Sequence, residues 1–169
     1  MSRGLRADSV VVVGDADVIA SLYDALDRHD GEAMAALYAP DARFRDPAFG
    51  ELTGEEAGDM WRMLTSRATD LSVDLPEHEA SGGTGSAHWI ATYTFRTGNH
   101  VVNDIHARFR FRDGLIAEHE DSFSFHRWAR QALGPAGWVL GLPVLSTVVR
   151  RKARGDLDAF RAERAASAP

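Results

Sequence analysis

The sequence predicts an α+β domain in which a cone-shaped, curved antiparallel sheet packs on three N-terminal helices and is followed by a helical tail. Before Ala68, apolar residues recur at helical spacing; from Leu71 onward they alternate with polar residues, as in strands with one buried face. Two hairpin signals, Gly98-Asn99 and Asp113-Gly114, separate three of the alternating segments. Neighbouring strands are therefore expected to pair antiparallel, beside helices that cover one face of the sheet.

The composition is that of an ordinary globular domain. The chain has 169 residues, of which 44% are hydrophobic and 26% charged, and no cysteine, so disulfides and thiolate chemistry are excluded. The formal net charge of −6 argues against a nucleic-acid partner, since nucleic-acid-binding surfaces are usually basic. The apolar run 136–149 is too short to span a bilayer. We expect a cytoplasmic protein without a membrane span.

Three helices are expected before the sheet. Asp15 or Asp17 can cap the first helix. The apolar stripe of this helix comprises Val18, Ile19, Leu22, Tyr23 and Leu26. A second, short helix with Tyr38 on its inner side ends at Pro40. Residues 53–56 resemble a capping box, which predicts that a third helix begins there and continues to about residue 68.

Five strands are expected, one between the second and third helices and four after the third helix. A short first strand covers Ala42–Asp46. The four longer strands, which form a meander, are Leu71–Glu79, Ser86–Arg96, His100–Arg112 and a strand that begins at Leu115. The short first strand and the meander together make up the curved sheet.

The chain is expected to have three parts. Residues 1–14 form an N-terminal arm, residues 15–126 the α+β domain, and residues 127–169 a helical extension. The apolar segment Trp138–Val149 is expected to be buried, either on its own domain or across a homodimer.

The last strand carries the most informative pattern. Its apolar face comprises Leu115, Ala117, His119, Asp121, Phe123 and Phe125, and its other face includes Ile116, Glu118, Glu120 and Ser122. A carboxylate on an inner face is costly unless it is partnered or protonated. We interpret Asp121 as a general base and His119 as its partner or as the acid. The alternative is a buried structural pair that ties the strand to a helix.

Further polar candidates share the expected interior. Asp46 could move a proton or only cap the end of the first strand, and Asn103 could stabilise an oxyanion or be a satisfied core amide. Aromatic residues that could line the pocket, or simply form the core, are Trp61, Trp89, Tyr23, Tyr93 and Phe123. We expect Asp46, Asn103, His119 and Asp121 to face one cavity that takes an apolar or ring-bearing small molecule.

Neither a metal nor another cofactor is expected. His119 and Asp121 have the same-face spacing of two metal ligands, but only Asp46 could be the third. The outward His88 and His106 are interpreted as surface residues.

Several motifs resemble the nuclear transport factor 2-like superfamily, and within it the SnoaL-like polyketide cyclases and the ketosteroid isomerases. They are the segment 30–50, the helix after 52–54 and the strand pair ending FRFRDGLIAEHEDSF, and the resemblance covers roughly residues 15–126. It implies a cone-shaped domain with an interior pocket and cofactor-independent acid–base catalysis. Because this fold hosts enzymes and binding modules alike, the resemblance does not fix the reaction.

The resemblance also implies roles for individual residues. Asp46 occupies the position of the isomerases' proton-shuttling base. Those enzymes hold the substrate oxygen with a tyrosine on the first helix, where this chain has Leu22, with Tyr23 one residue away. Ala107 stands where the isomerases have a second acid. The SnoaL-like cyclases use a strand aspartate and neighbouring polar groups as acid and base. Asp121 and His119 would fill these roles.

The expected function is therefore proton transfer next to a carbonyl, in a cyclisation, isomerisation or lyase step. Two alternatives remain: a ligand carrier or sensor that uses the same pocket without turnover, and a protein-assembly module.

Overall fold

The computed structural model describes residues 14–135 and 142–167, and the expected arm therefore lies outside it except for Gly14. The elements of the described part, in chain order, are α1 (Asp15–Asp27), α2 (Gly31–Ala35), β1 (Tyr38–Asp46), β2 (Gly50–Thr53), α3 (Gly54–Arg67), β3 (Ser72–Ser81), β4 (Thr84–Thr94), β5 (His100–Arg112), β6 (Leu115–Ser122), α4 (Phe125–Leu133) and α5 (Leu142–Ser167). The α+β class and the order of helices and strands are confirmed.

The sheet has six strands in the order β2-β1-β6-β5-β4-β3. Strands β3 to β6 form the expected antiparallel meander. Two features differ from the expected sheet: β2 folds back on β1, and β1 pairs parallel to β6. The short strand β2 was missed because Gly50–Thr53 is too brief to show alternation. The sheet is therefore mixed rather than purely antiparallel.

The helices bury the residues that their spacing predicts. The whole apolar stripe of α1 is buried. At the start of α3, the Thr53 N–H donates to Glu56 Oε2 at 2.8 Å and the Glu56 N–H donates to Thr53 Oγ1 at 3.4 Å, which is the expected capping box. Tyr38 differs from the prediction, since α2 ends at Ala35 and Tyr38 is the first residue of β1. The structure tolerates Pro40 within that strand because the register between β1 and β6 shifts there.

A β-bulge in β6 sets which side chains face the interior. Arg110 pairs with Glu118 and Phe111 with Ile116, so Ala117 is an extra residue on β6. Ile116, predicted on the outer face, is consequently fully buried. From Glu118 to Ser122, on the C-terminal side of the bulge, the side chains point to the predicted faces.

Strand β6 is shorter than the alternating pattern predicts. It ends at Ser122, and Ser124 caps α4 by accepting the N–H of Arg127 at 3.2 Å. Phe123 lies between the two elements, and Phe125 begins α4, whose buried residues include Trp128.

The C-terminal helix α5 packs along the domain. Near its start, Leu145 is buried in a small cluster with Val101 and Trp128, whereas Val144 and Val148 are exposed. Leu145 is therefore buried on its own domain as expected, burial of the two valines across a homodimer stays a prediction, and Trp138–Gly141 lies outside the described residues.

Farther along α5, Leu157 is 1% exposed and joins the main core. Arg161 Nε lies 3.1 Å from Asp59 Oδ2 on α3, and Arg164 Nη1 lies 3.0 Å from Glu32 Oε1 on α2. None of the helices in the described ranges is long and apolar enough to cross a membrane.

Replacing Leu157 with alanine should lower the free energy of unfolding by about 2–5 kcal/mol, because a large buried side chain leaves a cavity. Denaturant unfolding monitored by circular dichroism measures this. Val148→Ala, at a position 56% exposed on the same helix, is the control and should change stability by no more than about 0.5 kcal/mol. Equal effects of the two substitutions would mean that α5 does not stabilise the domain through the core.

Candidate functional site

The centre of the candidate site is the His119 side chain, which has no exposed surface. Its Nδ1 lies 2.7 Å from the hydroxyl of Tyr38 on β1, and its Nε2 lies 3.0 Å from Oδ1 of Asp121. The Asp121 side chain is only 4% exposed. The predicted inward pair is therefore present and forms a direct hydrogen bond.

Two tryptophans form the outermost hydrogen bonds of this network. Trp61 on α3 donates its indole N–H to the Tyr38 hydroxyl at 2.9 Å, and Trp89 on β4 donates to Asp121 Oδ1 at 3.3 Å. The chain Trp61–Tyr38–His119–Asp121–Trp89 thus joins α3, β1, β6 and β4. We call it the buried relay.

The donors around His119 assign its tautomer. The Tyr38 oxygen accepts a hydrogen from Trp61, and the buried hydroxyl can place its own hydrogen on His119 Nδ1. His119 Nε2 then carries the ring hydrogen and donates it to Asp121. Burial raises the pKa of Tyr38 well above its usual value, so this hydroxyl keeps its hydrogen at neutral pH.

Aromatic rings fix the orientation of the imidazole. The ring centroid of Phe109 on β5 lies 4.3 Å from that of His119, and Phe44 on β1 approaches it edge-on at 5.1 Å. Both rings come from inward positions of neighbouring strands, because side chains alternate along each strand. Such packing leaves the histidine few other orientations.

Tyr23 on α1 carries an unsatisfied hydroxyl. Its oxygen is buried and has no hydrogen-bond partner among the described residues. Its ring lies 5.0 Å from Trp89. Burial raises the pKa of Tyr23 well above its usual value, and the nearby charge of Asp121 adds to the shift. The Tyr23 hydroxyl is therefore protonated at neutral pH and is a hydrogen-bond donor without an acceptor among the described residues. Unpaired buried donors are uncommon in folded proteins.

Asp46 is the last residue of β1 and lies near enough to Asp121 for the charge of that carboxylate to affect it. It caps the following turn by accepting the N–H of Phe49 at 2.5 Å. Burial raises the pKa of Asp46 to about 7, and the charge of Asp121 contributes to this shift while backbone N–H groups oppose it. Asp46 can therefore hold or release a proton near neutral pH, in addition to its capping role.

The other predicted residues lie farther from the relay. Asn103 is buried on β5 but takes no part in the hydrogen bonds of the buried relay. Tyr93 accepts the indole N–H of Trp128 at 2.9 Å, and Phe123 packs on the same small cluster around Val101. Tyr93 and Phe123 thus contribute to the packing of α4 on the sheet.

A cleft formed by described residues differs from the expected interior cavity. Its volume is about 1280 Å³, and its walls include Arg43, Arg108 and Glu118 from the outer face of the sheet. His119 borders it, but Asp46 does not, nor do Asn103 and Asp121. The four predicted polar residues therefore do not share this cleft.

Tyr38 is the member of the buried relay that sequence reasoning missed. Alternation does not identify it, because the burial pattern of β1 is interrupted at Pro40 and Asp41, where the register with β6 shifts. Pro40 also favoured the shorter strand, because a proline usually ends a helix.

Solved structures with a similar fold have low sequence identity to this chain. A protein with a ketosteroid isomerase-like fold from Catenulispora acidiphila, crystallised in complex with trimethylamine, is 17% identical with a TM-score of 0.63, covering 73% of this chain and 98% of that one. An NTF2-like protein of unknown function from Burkholderia pseudomallei is 20% identical with a TM-score of 0.62, covering 70% and 96%. IdmH from Streptomyces antibioticus, a proposed polyketide cyclase, is 24% identical with a TM-score of 0.58, covering 69% and 96%.

These likenesses show a nuclear transport factor 2-like fold. No curated protein matches the sequence. The family model described as a SnoaL-like domain matches residues 19–119, more than half of the 169-residue chain. The chain therefore belongs to the SnoaL-like domain family.

Proposed function

We propose that this protein is a cofactor-independent enzyme that moves a proton next to a carbonyl group of an apolar or ring-bearing small molecule. The reaction would be a cyclisation, an isomerisation or a lyase step. The observation that carries the proposal is the unpaired Tyr23 hydroxyl close to the buried carboxylate of Asp121. The homodimer and the cytoplasmic location expected from the sequence stay predictions.

A purely structural network would be expected to satisfy all of its buried donors. All five relay residues are hydrogen-bonded to another member of the relay, whereas the hydroxyl of the neighbouring Tyr23 has no partner among the described residues. A substrate carbonyl oxygen is the kind of acceptor that would satisfy it. As negative charge develops on that oxygen, the hydrogen bond from Tyr23 would strengthen, which favours the transition state over the ground state.

Asp121 is the proposed base. It would take the proton from the carbon next to the carbonyl, while the Tyr23 hydroxyl holds the resulting enolate oxygen. His119 orients Asp121 through its Nε2–H, and Tyr38 holds His119 in the required tautomer. His119 and Tyr38 are thus positioning residues, since neither needs to touch the substrate.

Asp46 is the proposed second acid–base group. A pKa of about 7 means that the protonated and charged forms are both populated near neutral pH, which suits a group that returns a proton to the product. The two aspartates would then have different tasks, because their environments differ.

The structural neighbours support a small-molecule reaction without fixing which one. IdmH is a proposed polyketide cyclase, and the Catenulispora protein was crystallised with a small amine. At 24% identity or less, these likenesses concern the fold. The second candidate is a carrier that binds a ligand without turnover, because the same fold hosts enzymes and binding modules alike.

Replacing Asp121 with asparagine should slow proton transfer about a hundredfold or more while leaving ligand affinity within a few-fold, because the shape remains and the base is lost. The measurement is deuterium uptake next to the carbonyl of cyclic ketones in D2O, followed by NMR. Native mass spectrometry of the purified protein guides the choice of ketones by identifying any co-purified compound.

Asp74→Asn, at an exposed position on β3, is the matched control and should leave deuterium uptake unchanged. Deuterium uptake that stays near the wild-type rate in Asp121→Asn would contradict the assignment of Asp121 and make Asp46 the leading candidate for the base. Ketone binding without any wild-type uptake would instead support the carrier.

Two tyrosine substitutions separate positioning from packing. Tyr38→Phe removes the donor to His119 Nδ1 and the acceptor of Trp61, so it should cost about 1–3 kcal/mol in the free energy of unfolding and also slow deuterium uptake. Tyr93→Phe removes the acceptor of the Trp128 indole N–H; it should destabilise the fold by about 0.5–1.5 kcal/mol and leave uptake unchanged. A Tyr38→Phe variant with normal uptake would contradict the positioning role.

The raised pKa of Asp46 predicts how stability depends on pH. The folded state keeps the Asp46 proton up to about pH 7, whereas the unfolded chain releases it near pH 4. The free energy of unfolding contributed by Asp46 should therefore fall as pH rises from about 4 to about 7. Asp46→Asn should remove this loss, so that the variant gains stability relative to wild type over the same interval. A constant difference across urea titrations at several pH values would contradict the shifted pKa.

A further inference from the structure

Two histidines face each other on the outer surface of the sheet, on the side opposite to the buried relay. His88 on β4 and His106 on β5 are directly paired in register. Their rings are nearly parallel, with centroids 4.7 Å apart and an interplanar angle of 13°. Both residues have the outward phase expected of surface residues, and the register between β4 and β5 places them side by side.

Asp104 brings a carboxylate to the same point. It lies two residues before His106 on β5 and therefore on the same face. Its Oδ1 is 2.8 Å from Nε2 of His88 and 4.0 Å from Nε2 of His106. The ligand atoms of these three side chains all lie within 4.8 Å of one another.

We propose that His88, Asp104 and His106 bind a divalent transition-metal ion of the zinc class. Two imidazole nitrogens and a carboxylate oxygen are a donor set that Zn²⁺ uses in proteins, with bonds of about 2.0–2.2 Å and further positions left to water. Because the three ligand atoms already lie within 4.8 Å of one another on one side of the sheet, side-chain rotation alone would be needed to bring them around one ion.

The surroundings favour a cation. Glu77 on β3 is the register partner of His88, so a second carboxylate stands beside the site. The nearest basic residue along β5 on this face is Arg108, which lies opposite Glu120 on β6. The exposed fractions of the His88, Asp104 and His106 side chains are 27%, 42% and 69%, so an ion can enter without opening the fold.

A surface ion pair between His88 and Asp104 does not explain the position of His106. The hydrogen bond to Asp104 accounts for His88, but His106 remains 4.0 Å from the carboxylate and stacks on the other ring. One bound cation would join both rings and the carboxylate. The rigid strands supply the preorganisation that such a site needs.

Isothermal titration of the tag-free full chain with zinc chloride tests the proposal. The expected result is one zinc ion per chain, with a higher midpoint of thermal unfolding when zinc is present. His88→Ala and His106→Ala should each weaken zinc binding about tenfold or more, since losing even an indirect partner of a metal ligand has such an effect. Asp104→Asn should weaken it as well.

His100→Ala is the matched control. His100 is exposed at the start of β5, six residues and therefore about 20 Å from His106 along the strand, and its loss should leave zinc affinity unchanged. All of these side chains lie outside the core, and circular dichroism verifies that each variant is folded. Absence of zinc binding, or equal affinity in wild type and His106→Ala, overturns the proposal.

Discussion

Enclosing the Asp121 carboxylate among aromatic side chains is the constraint on which much of the interior depends. A charge removed from water must be compensated by hydrogen bonds. His119 and Trp89 supply two of them, and His119 in turn requires the hydroxyl of Tyr38, which itself receives the indole hydrogen of Trp61. A single inward aspartate thereby determines the identity of partners on three other elements.

The polar groups near that carboxylate have two different characters. The members of the buried relay are hydrogen-bonded to one another, whereas the Tyr23 hydroxyl is unpaired and Asp46, which caps a turn through Phe49, has a pKa of about 7. The relay gives rigidity, and Tyr23 and Asp46 are the groups that we propose act on a ligand. The same division distinguishes the proposed catalytic groups from the residues that position them.

Much of this arrangement was predictable from the sequence, and the omissions have physical causes. Alternation identified His119 and Asp121 as inward residues, because the strand period is strict over short distances. It failed at Ile116, where one extra residue reverses the phase and leaves no local signature. Tyr38 and the short strand β2 were missed because a proline and a four-residue segment obscure periodicity. The approach of His88 to His106 depends on register, which alternation within one strand does not contain.

The parallel pairing of β1 with β6 also has a kinetic consequence. The bond between Tyr38 and His119 joins residues 81 positions apart in the chain, and closing so long a loop has an entropic cost before any contact compensates it. Contacts of high sequence separation slow folding. The meander can form from local hairpins, but the site cannot exist until the first strand docks beside the last. A chain that emerges gradually during synthesis would therefore complete the candidate site only after Asp121 has been made.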